Sequence, residues 1–98
     1  MVEGKVEQNV ADNTIFIGKK SSMAYVLAVM TQFSSGKNEV QIKARGRTIS
    51  KAVDVAEIIR RRFADTVKVK NVEIGTEERE NPNKGKVNVS TISITLSK

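Results

Sequence analysis

The order of apolar and polar residues along the chain predicts its strands. The apolar, β-branched run Thr14–Ile17 ends at Gly18, which is typical of a short, buried first strand. Between Val40 and Arg45 apolar and polar residues alternate strictly, and this period of two indicates a second strand with one buried face. Lys43 and Arg45 are therefore expected side by side on the polar face of that strand.

The first helix is predicted over residues 22–34. Ser21 or Ser22 can cap its start, and Gly36 stands where a helix often ends in a left-handed residue. The segment Met23–Met30 is apolar on every side of this helix. Because a fold of 98 residues rarely buries a helix all round, we expect the first helix to lie in a subunit interface, the alternative being that its own fold buries it unusually deeply.

The second helix is predicted from about Ile49 to Phe63. The segment Gly46-Arg47-Thr48 breaks the second strand and is expected to cap this helix. Glu57 and Arg61 stand at the spacing that favours an ion pair on a helix surface. One apolar stripe is predicted to face the core, and it comprises Ile49, Ala52, Val53, Ala56, Ile59 and Phe63.

The last third of the chain predicts a long hairpin. A reversal of the apolar phase in its first strand indicates a β-bulge near Asn71. A turn centred on Asn83 pairs Ile74 with Ile92. Beyond Gly75 the two strands share no apolar face, so residues 76–90, hereafter the arm, should project from the body as an exposed two-stranded ribbon.

These elements predict an α+β fold with the order β-α-β-α-β-β. It is a two-layer sandwich with two helices on one face of a four-stranded mixed sheet, and the last two strands form the long projecting hairpin. Residues 1–13 are polar and acidic without periodicity, which predicts a flexible tail. Residues 14–98 are expected to form a single domain, since 98 residues are too few for two independent cores.

The composition excludes several kinds of chemistry. The chain has no Cys and no His, which excludes disulfides, thiolate zinc sites and imidazole acid–base catalysis. No cofactor is indicated, and we expect no enzymatic activity. Asp54 and Glu57 lie one helical turn apart, which leaves a metal-dependent nuclease as a remote alternative, although each carboxylate has a simpler use in a surface ion pair.

No apolar run is long enough to span a bilayer and no signal peptide is evident, so a cytoplasmic protein without membrane contact is expected.

The net charge of +6 is unevenly distributed along the chain. Residues 1–13 carry a net charge of −2 and residues 71–98 carry none, whereas residues 14–70 carry +8. A positive field of this kind attracts polyanions, with nucleic acid first and acidic membrane or protein surfaces second. The arm should contribute less phosphate affinity than the body because its charges cancel: Glu77, Glu78 and Glu80 against Arg79, Lys84 and Lys86.

Four motifs of the chain occur together in one known family. They are Ile17-Gly18-Lys19-Lys20, Ile42-Lys43-Ala44-Arg45-Gly46-Arg47, Ile49-Ser50-Lys51-Ala52-Val53-Asp54 and Arg62-Phe63. With them the chain resembles the Alba family of archaeal chromatin proteins over residues 14–98, and residues 42–54 are the most specific part of the resemblance.

The resemblance implies a homodimer that binds double-stranded DNA without sequence preference, coats or compacts it, and also binds RNA. An RNA-binding subunit of a ribonucleoprotein stays open as the alternative, because a protein that recognises shape and phosphates carries no base-edge motif. The resemblance also implies association with the nucleoid, and a paralogue in a heterodimer and a deacetylase as further partners.

The same resemblance assigns roles to individual residues. Lys19 and Lys20 match a lysine pair in a loop that faces the DNA, and Lys19 matches a lysine whose acetylation weakens binding. Phe63 matches a residue that joins neighbouring dimers along DNA, the alternative being that it closes the core stripe of the second helix. The other nucleic-acid contacts are expected on the second strand and on arms that reach along the minor groove: Lys43, Arg45, Arg47, Arg79, Lys84 and Lys86.

Overall fold

Five strands and two helices form the part of the chain that the computed structural model describes, which is residues 8–9, 13–63 and 65–98. A 3-10 turn over Gly46–Thr48 joins the third strand to the second helix. The elements are β1 Gln8–Asn9, β2 Thr14–Phe16, α1 Ser22–Ser34, β3 Glu39–Arg45, α2 Ile49–Arg62, β4 Lys68–Asn81 and β5 Gly85–Ser97.

The sheet is mixed, with the strand order β1-β2-β3-β5-β4. Only β2 and β3 run parallel, as expected for strands joined through a helix, and the other neighbours in the described part of the sheet are antiparallel. Strands β2 to β5 are the four that the sequence predicts, and together with the two helices they confirm the predicted α+β fold.

Strand β1 is not among the four strands that the sequence predicts. Gln8 lies opposite Ile15 and Asn9 opposite Thr14, so two residues of the segment expected to be a flexible tail pair with the edge of the sheet. The pattern of the sequence gives no indication of this strand, because backbone hydrogen bonds need no particular side chains. Residues 1–7 and 10–12 of that segment lie outside the described residues.

Helix α1 begins and ends where its caps predict. The Ser21 hydroxyl accepts a hydrogen bond from the backbone N–H of Ala24 (3.3 Å), and Gly36 follows the helix with a φ of +102°. The alternative that the chain itself buries α1 all round is wrong for the outer face of the helix, and its place in a subunit interface stays a prediction. Met23 and Leu27 are exposed there, Leu27 by 64%, because the sheet and α2 cover only one side of the helix.

Helix α2 buries a stripe that is rotated from the predicted one. Ala52, Val55, Ala56 and Ile59 are buried, at the i, i+3, i+4, i+7 spacing of one helix face. Val53, predicted to face the core, is 42% exposed, whereas the buried Val55 does not belong to the predicted stripe. The sequence offers apolar residues on both sides of the true stripe, and the packing partners decide between them.

Thr48 does not cap α2 with its side chain. Its hydroxyl instead donates to the carbonyl oxygen of Arg45 (2.8 Å) and accepts from the backbone N–H of Arg45 (3.3 Å). These bonds join the last residue of the 3-10 turn to Arg45, the last residue of β3. The turn therefore fixes Arg45 and Arg47 at the junction between β3 and α2.

The hairpin of β4 and β5 has the predicted register. Ile74 pairs with Ile92, a bulge falls between Val69 and Asn71, and the turn is centred on Asn83. The Asn81 side-chain oxygen accepts hydrogen bonds from the backbone N–H groups of Asn83 (2.8 Å) and Lys84 (3.2 Å), as is typical of asparagine at the start of a turn.

The core lies between the two helices and the inner face of the sheet. Its largest fully buried side chains come from every layer: Ile15, Val29, Val40, Ile42, Val55, Ile59 and Leu96. Neither helix of the described residues is long and apolar enough to cross a membrane.

Strand β4 carries apolar residues that the core does not cover. Val69, Val72 and Ile74 pair with Leu96, Ile94 and Ile92 and so share the inner face of the sheet with them. All three are nevertheless exposed, Ile74 by 83%, because β4 is the edge strand and the helices leave this part of it uncovered. These three residues, Val69, Val72 and Ile74, are hereafter the exposed apolar strip of β4.

Candidate functional site

The loop between β2 and α1, residues 18–21, carries Lys19 and Lys20 and is hereafter the lysine loop. The side chain of Lys19 is exposed and that of Lys20 is half-buried. The Tyr25 hydroxyl accepts hydrogen bonds from the backbone N–H of Gly18 (2.7 Å) and of Lys20 (3.1 Å). The Lys51 ammonium donates to the backbone carbonyl oxygens of the same two residues, at 2.9 Å for Gly18 and 2.7 Å for Lys20.

Sequence reasoning misses both partners of the lysine loop. The pattern alone assigns Tyr25 to the core or an interface, and Lys51 to the solvent side of α2. A signal for Tyr25 exists, because a phenol hydroxyl buried in an apolar run needs a hydrogen-bond partner, and Tyr25 is only 2% exposed. No spacing in the sequence points to Lys51, which lies 33 residues from Gly18.

Lys43 and Arg45 lie on the outer face of the sheet, away from the helices, as their alternation predicts. Both side chains are exposed, and Lys43 lies opposite Phe16 on β2 and Ser93 on β5. A shallow groove on this face is lined by residues of β2, β3, β4 and β5, among them Phe16, Lys43, Arg45, Glu73, Glu77 and Thr91.

The lysine loop and the basic end of β3 lie at the same end of the sheet. Strands β2 and β3 are parallel, so their carboxyl ends meet at one edge, and the backbone N–H of Ile17 bonds to the carbonyl of Lys43 (2.9 Å). Arg47 is exposed in the 3-10 turn that follows β3. The structure therefore brings together five cations of the predicted site: Lys19, Lys20, Lys43, Arg45 and Arg47.

The arm is tied to this end of the sheet by one carboxylate. Glu77 accepts from Arg45 of β3 (3.4 Å) and from Arg79 of the arm (3.4 Å). Farther out, Lys86 pairs with Glu78 (3.7 Å), and Lys84 is exposed in the turn. Two of the three cations of the arm, Arg79 and Lys86, thus lie in ion pairs within the arm, and Glu77 also neutralises part of the body.

Glu57, one of the two carboxylates of α2, forms ion pairs. Glu57 accepts two hydrogen bonds from Arg60 (2.7 and 2.8 Å) and lies 3.8 Å from Arg61 at the predicted spacing. The hydrogen bond from Arg60 lowers the pKa of the Glu57 carboxyl and raises the pKa of Arg60 in return. In the described residues no group of three or more Asp, Glu, His or Cys side chains is placed to hold a metal ion.

Phe63 lies just after the last turn of α2 and belongs to neither the helix nor the core cluster. Its backbone N–H bonds to the carbonyl of Ile59 (2.9 Å), while its ring is 36% exposed. Phe63 is not part of the core cluster, but most of its surface is covered, so both its contact with a neighbouring dimer and the alternative that it closes the stripe of α2 stay predictions.

Comparison with known proteins relates both the sequence and the fold to one family. The family model described as Alba matches residues 13–76, which include the lysine loop, β3 and Phe63 but not most of the arm. The DNA/RNA-binding protein Alba 1 of Archaeoglobus fulgidus is 57% identical over 88 residues, which cover 90% of this chain and 98% of that protein. The DNA/RNA-binding protein Alba of Thermoplasma acidophilum is 53% identical over 87 residues, or 89% of this chain and 97% of that one.

A solved structure agrees with these relatives. Alba from Thermoplasma volcanium superposes with a TM-score of 0.80 at 53% sequence identity, and the match covers 87% of this chain and 99% of the other. The extent of these matches, together with the lysine loop and the basic end of β3, identifies this chain as a member of the Alba family.

Proposed function

We propose that this protein binds double-stranded DNA without sequence preference, coats and compacts it, and binds RNA through the same surface. The observation that carries the proposal is the convergence of Lys19, Lys20, Lys43, Arg45 and Arg47 at one end of the sheet. Cations spread along an exposed rim bind phosphates, which repeat along any nucleic acid and carry no sequence information. The names of the relatives, DNA/RNA-binding proteins, support both ligands.

A salt titration tests this function. If a dimer makes about six phosphate contacts, the slope of log K against log salt on duplex DNA should be near −5. Random duplexes of different sequence should bind within about 3 kcal/mol of one another, as expected for a protein that contacts phosphates. A slope near zero, or stronger discrimination between sequences, would contradict the proposal.

An RNA-binding subunit of a ribonucleoprotein is the second candidate. The relatives' names favour it as much as DNA coating, and phosphate groups are equally accessible on RNA. Crosslinking in native cells followed by sequencing of the bound DNA and RNA separates the two, because a chromatin protein should be recovered across the genome. As a chromatin protein it would lie in the cytoplasm, associated with the nucleoid.

The exposed apolar strip of β4 supports a homodimer as the binding unit. Val69, Val72 and Ile74 would be shielded from water against a second copy of the chain, and a contiguous apolar patch of this kind is typical of an interface. A related chain with a similar strip could occupy the same place in a heterodimer of paralogues.

Lys19 is also the proposed acetylation site. Its side chain is exposed, so it is accessible to a modifying enzyme and to a deacetylase that reverses the change. Acetylation removes the positive charge and thereby its attraction to phosphate, which weakens binding without disturbing the core.

Replacing Glu77 by glutamine is expected to strengthen DNA binding. The change removes the carboxylate that neutralises Arg45 and Arg79, so both guanidinium groups become free for phosphate. If each protomer of a dimer then binds one additional phosphate, affinity at 0.1 M salt should rise by up to about 60-fold, and the salt slope should become steeper by up to about 2.

The control for Glu77→Gln is Glu73→Gln. Glu73 also lines the outer groove, and the substitution changes net charge equally. Titration of a short duplex with both variants measures the difference. An equal increase in affinity for the two variants would mean that net charge, and not the release of Arg45 and Arg79, determines the affinity.

Replacing Phe63 by alanine is expected to reduce cooperative coating while leaving the binding of a single dimer intact. The ring is partly exposed at the rim of the body, where it can contact a neighbouring dimer. On a short duplex that holds one dimer, Kd should change by less than about threefold. On long DNA the binding isotherm should become less steep, and a variant as cooperative as the wild type would refute this role.

A further inference from the structure

The lysine loop is held by side chains on both of its sides. Tyr25 from α1 accepts from the N–H groups of Gly18 and Lys20, and Lys51 from α2 donates to their carbonyl oxygens. The two residues that flank Lys19 therefore have both of their backbone polar groups bonded, one to each of two helices. Lys19 itself lies between these two fixed points, with its side chain exposed.

The position of Lys51 is not explained by helix formation. It lies in the first turn of α2, where a cation opposes the helix macrodipole. Two carbonyl acceptors at hydrogen-bond distance, and the face of the Tyr25 ring with its centroid 5.9 Å from the ammonium, compensate for that placement. The half-buried Lys51 thus belongs to the lysine loop through its contacts.

We propose that Tyr25 and Lys51 are positioning residues, which order the lysine loop before nucleic acid binds and thereby raise the affinity contributed by Lys19 and Lys20. This inference rests on the proposed nucleic-acid binding. A loop that is already ordered loses little conformational entropy when its lysines contact phosphates, whereas a free loop must be ordered during binding.

The sharpest test is Tyr25→Phe, which removes the hydroxyl that accepts two N–H groups but leaves the ring and the net charge unchanged. Affinity for a short duplex DNA at fixed salt should fall by about tenfold. In a background that already carries Lys19→Gln and Lys20→Gln, the same substitution should change affinity by less than about twofold, because the side chains it positions are gone. An equal loss in both backgrounds would mean a general structural effect and overturn the proposal.

Lys51→Met provides a second route if Tyr25→Phe folds poorly. It should show the same dependence on the lysine background. Its charge-matched control is Lys37→Met, which removes one positive charge before the start of β3, at the opposite end of that strand from the lysine loop. If Lys37→Met weakens binding as much as Lys51→Met, the loss reflects net charge alone and the proposal fails.

Amide hydrogen exchange in the absence of nucleic acid separates this inference from the proposed function. The N–H groups of Gly18 and Lys20 should exchange faster in Tyr25→Phe than in the wild type, while those of β3 stay unchanged. Unchanged exchange at Gly18 and Lys20 would overturn the positioning role even if the wild type binds DNA. A wild-type protein that binds neither DNA nor RNA would overturn the proposed function, and with it the role of an ordered loop in binding.

Discussion

Replacing Lys19 and Lys20 by glutamine is expected to weaken binding to a short duplex DNA by about 60-fold at 0.1 M salt, if each protomer of a dimer then binds one phosphate fewer. Each bound phosphate contributes a factor of about 8 at this salt concentration, since affinity varies with salt to the power of about −0.9 per phosphate. The salt slope should accordingly become shallower by about 2. Titrations at several salt concentrations measure both quantities on the same samples.

The matched control is the arm variant with Lys84→Gln and Lys86→Gln, which removes the same charge. Lys86 already pairs with Glu78, and the whole arm is neutral, so the loss should stay below about fivefold. The melting temperatures of both variants should remain close to that of the wild type, because none of the four lysines belongs to the core. Equal losses, or a larger loss for the arm variant, would show that local contacts of the arm outweigh the charge of the body.

Replacing Ile74 by aspartate is expected to dissociate the proposed dimer into monomers. Ile74 is 83% exposed in the single chain and lies in the apolar strip of β4 that we assign to the dimer interface. An unpaired carboxylate buried in an interface costs about 4 kcal/mol, so association should weaken by at least about 1000-fold. Sedimentation equilibrium at micromolar concentration, without nucleic acid, distinguishes the two masses.

The control for this change is Leu27→Asp on the outer face of α1. Leu27 is the most exposed large apolar residue of α1, the helix that the sequence alone predicts to lie in the subunit interface. The variant should keep the mass of the wild type if the interface is on β4. A dimer that survives Ile74→Asp but dissociates with Leu27→Asp would place the interface on α1 instead.

The sequence by itself determined the elements whose signals are local. A strict alternation of apolar and polar residues defined β3 and set Lys43 beside Arg45 on one face, because side chains alternate along any strand. The register of the hairpin followed from its turn at Asn83 and its bulge beside Asn71, since a turn of known centre leaves one pairing for the strands it joins. The capping serine and the glycine after α1 likewise defined the bounds of that helix, because both act through backbone groups of the adjacent turn.

Only the tertiary structure decided which apolar surfaces are covered. The sequence of α2 offers apolar residues on both sides of the buried stripe, and the choice of Val55 over Val53 depends on where the sheet and α1 lie. Likewise, Ile74 continues the inner face of the sheet yet is exposed to solvent, because β4 is at the edge and the helices leave this part of it uncovered. Periodicity identifies a face, but coverage of that face depends on the neighbours.

The contacts of the candidate site also needed the folded chain. Lys51 reaches the lysine loop across 31 to 33 residues, and Glu77 reaches Arg45 across 32, so no spacing in the sequence indicates either pair. The local pattern therefore determined which side chains are basic and which face of a strand they share. Which carbonyls and carboxylates those cations meet was decided by the tertiary structure, because hydrogen bonds and ion pairs require a close approach that only the packing of distant segments creates.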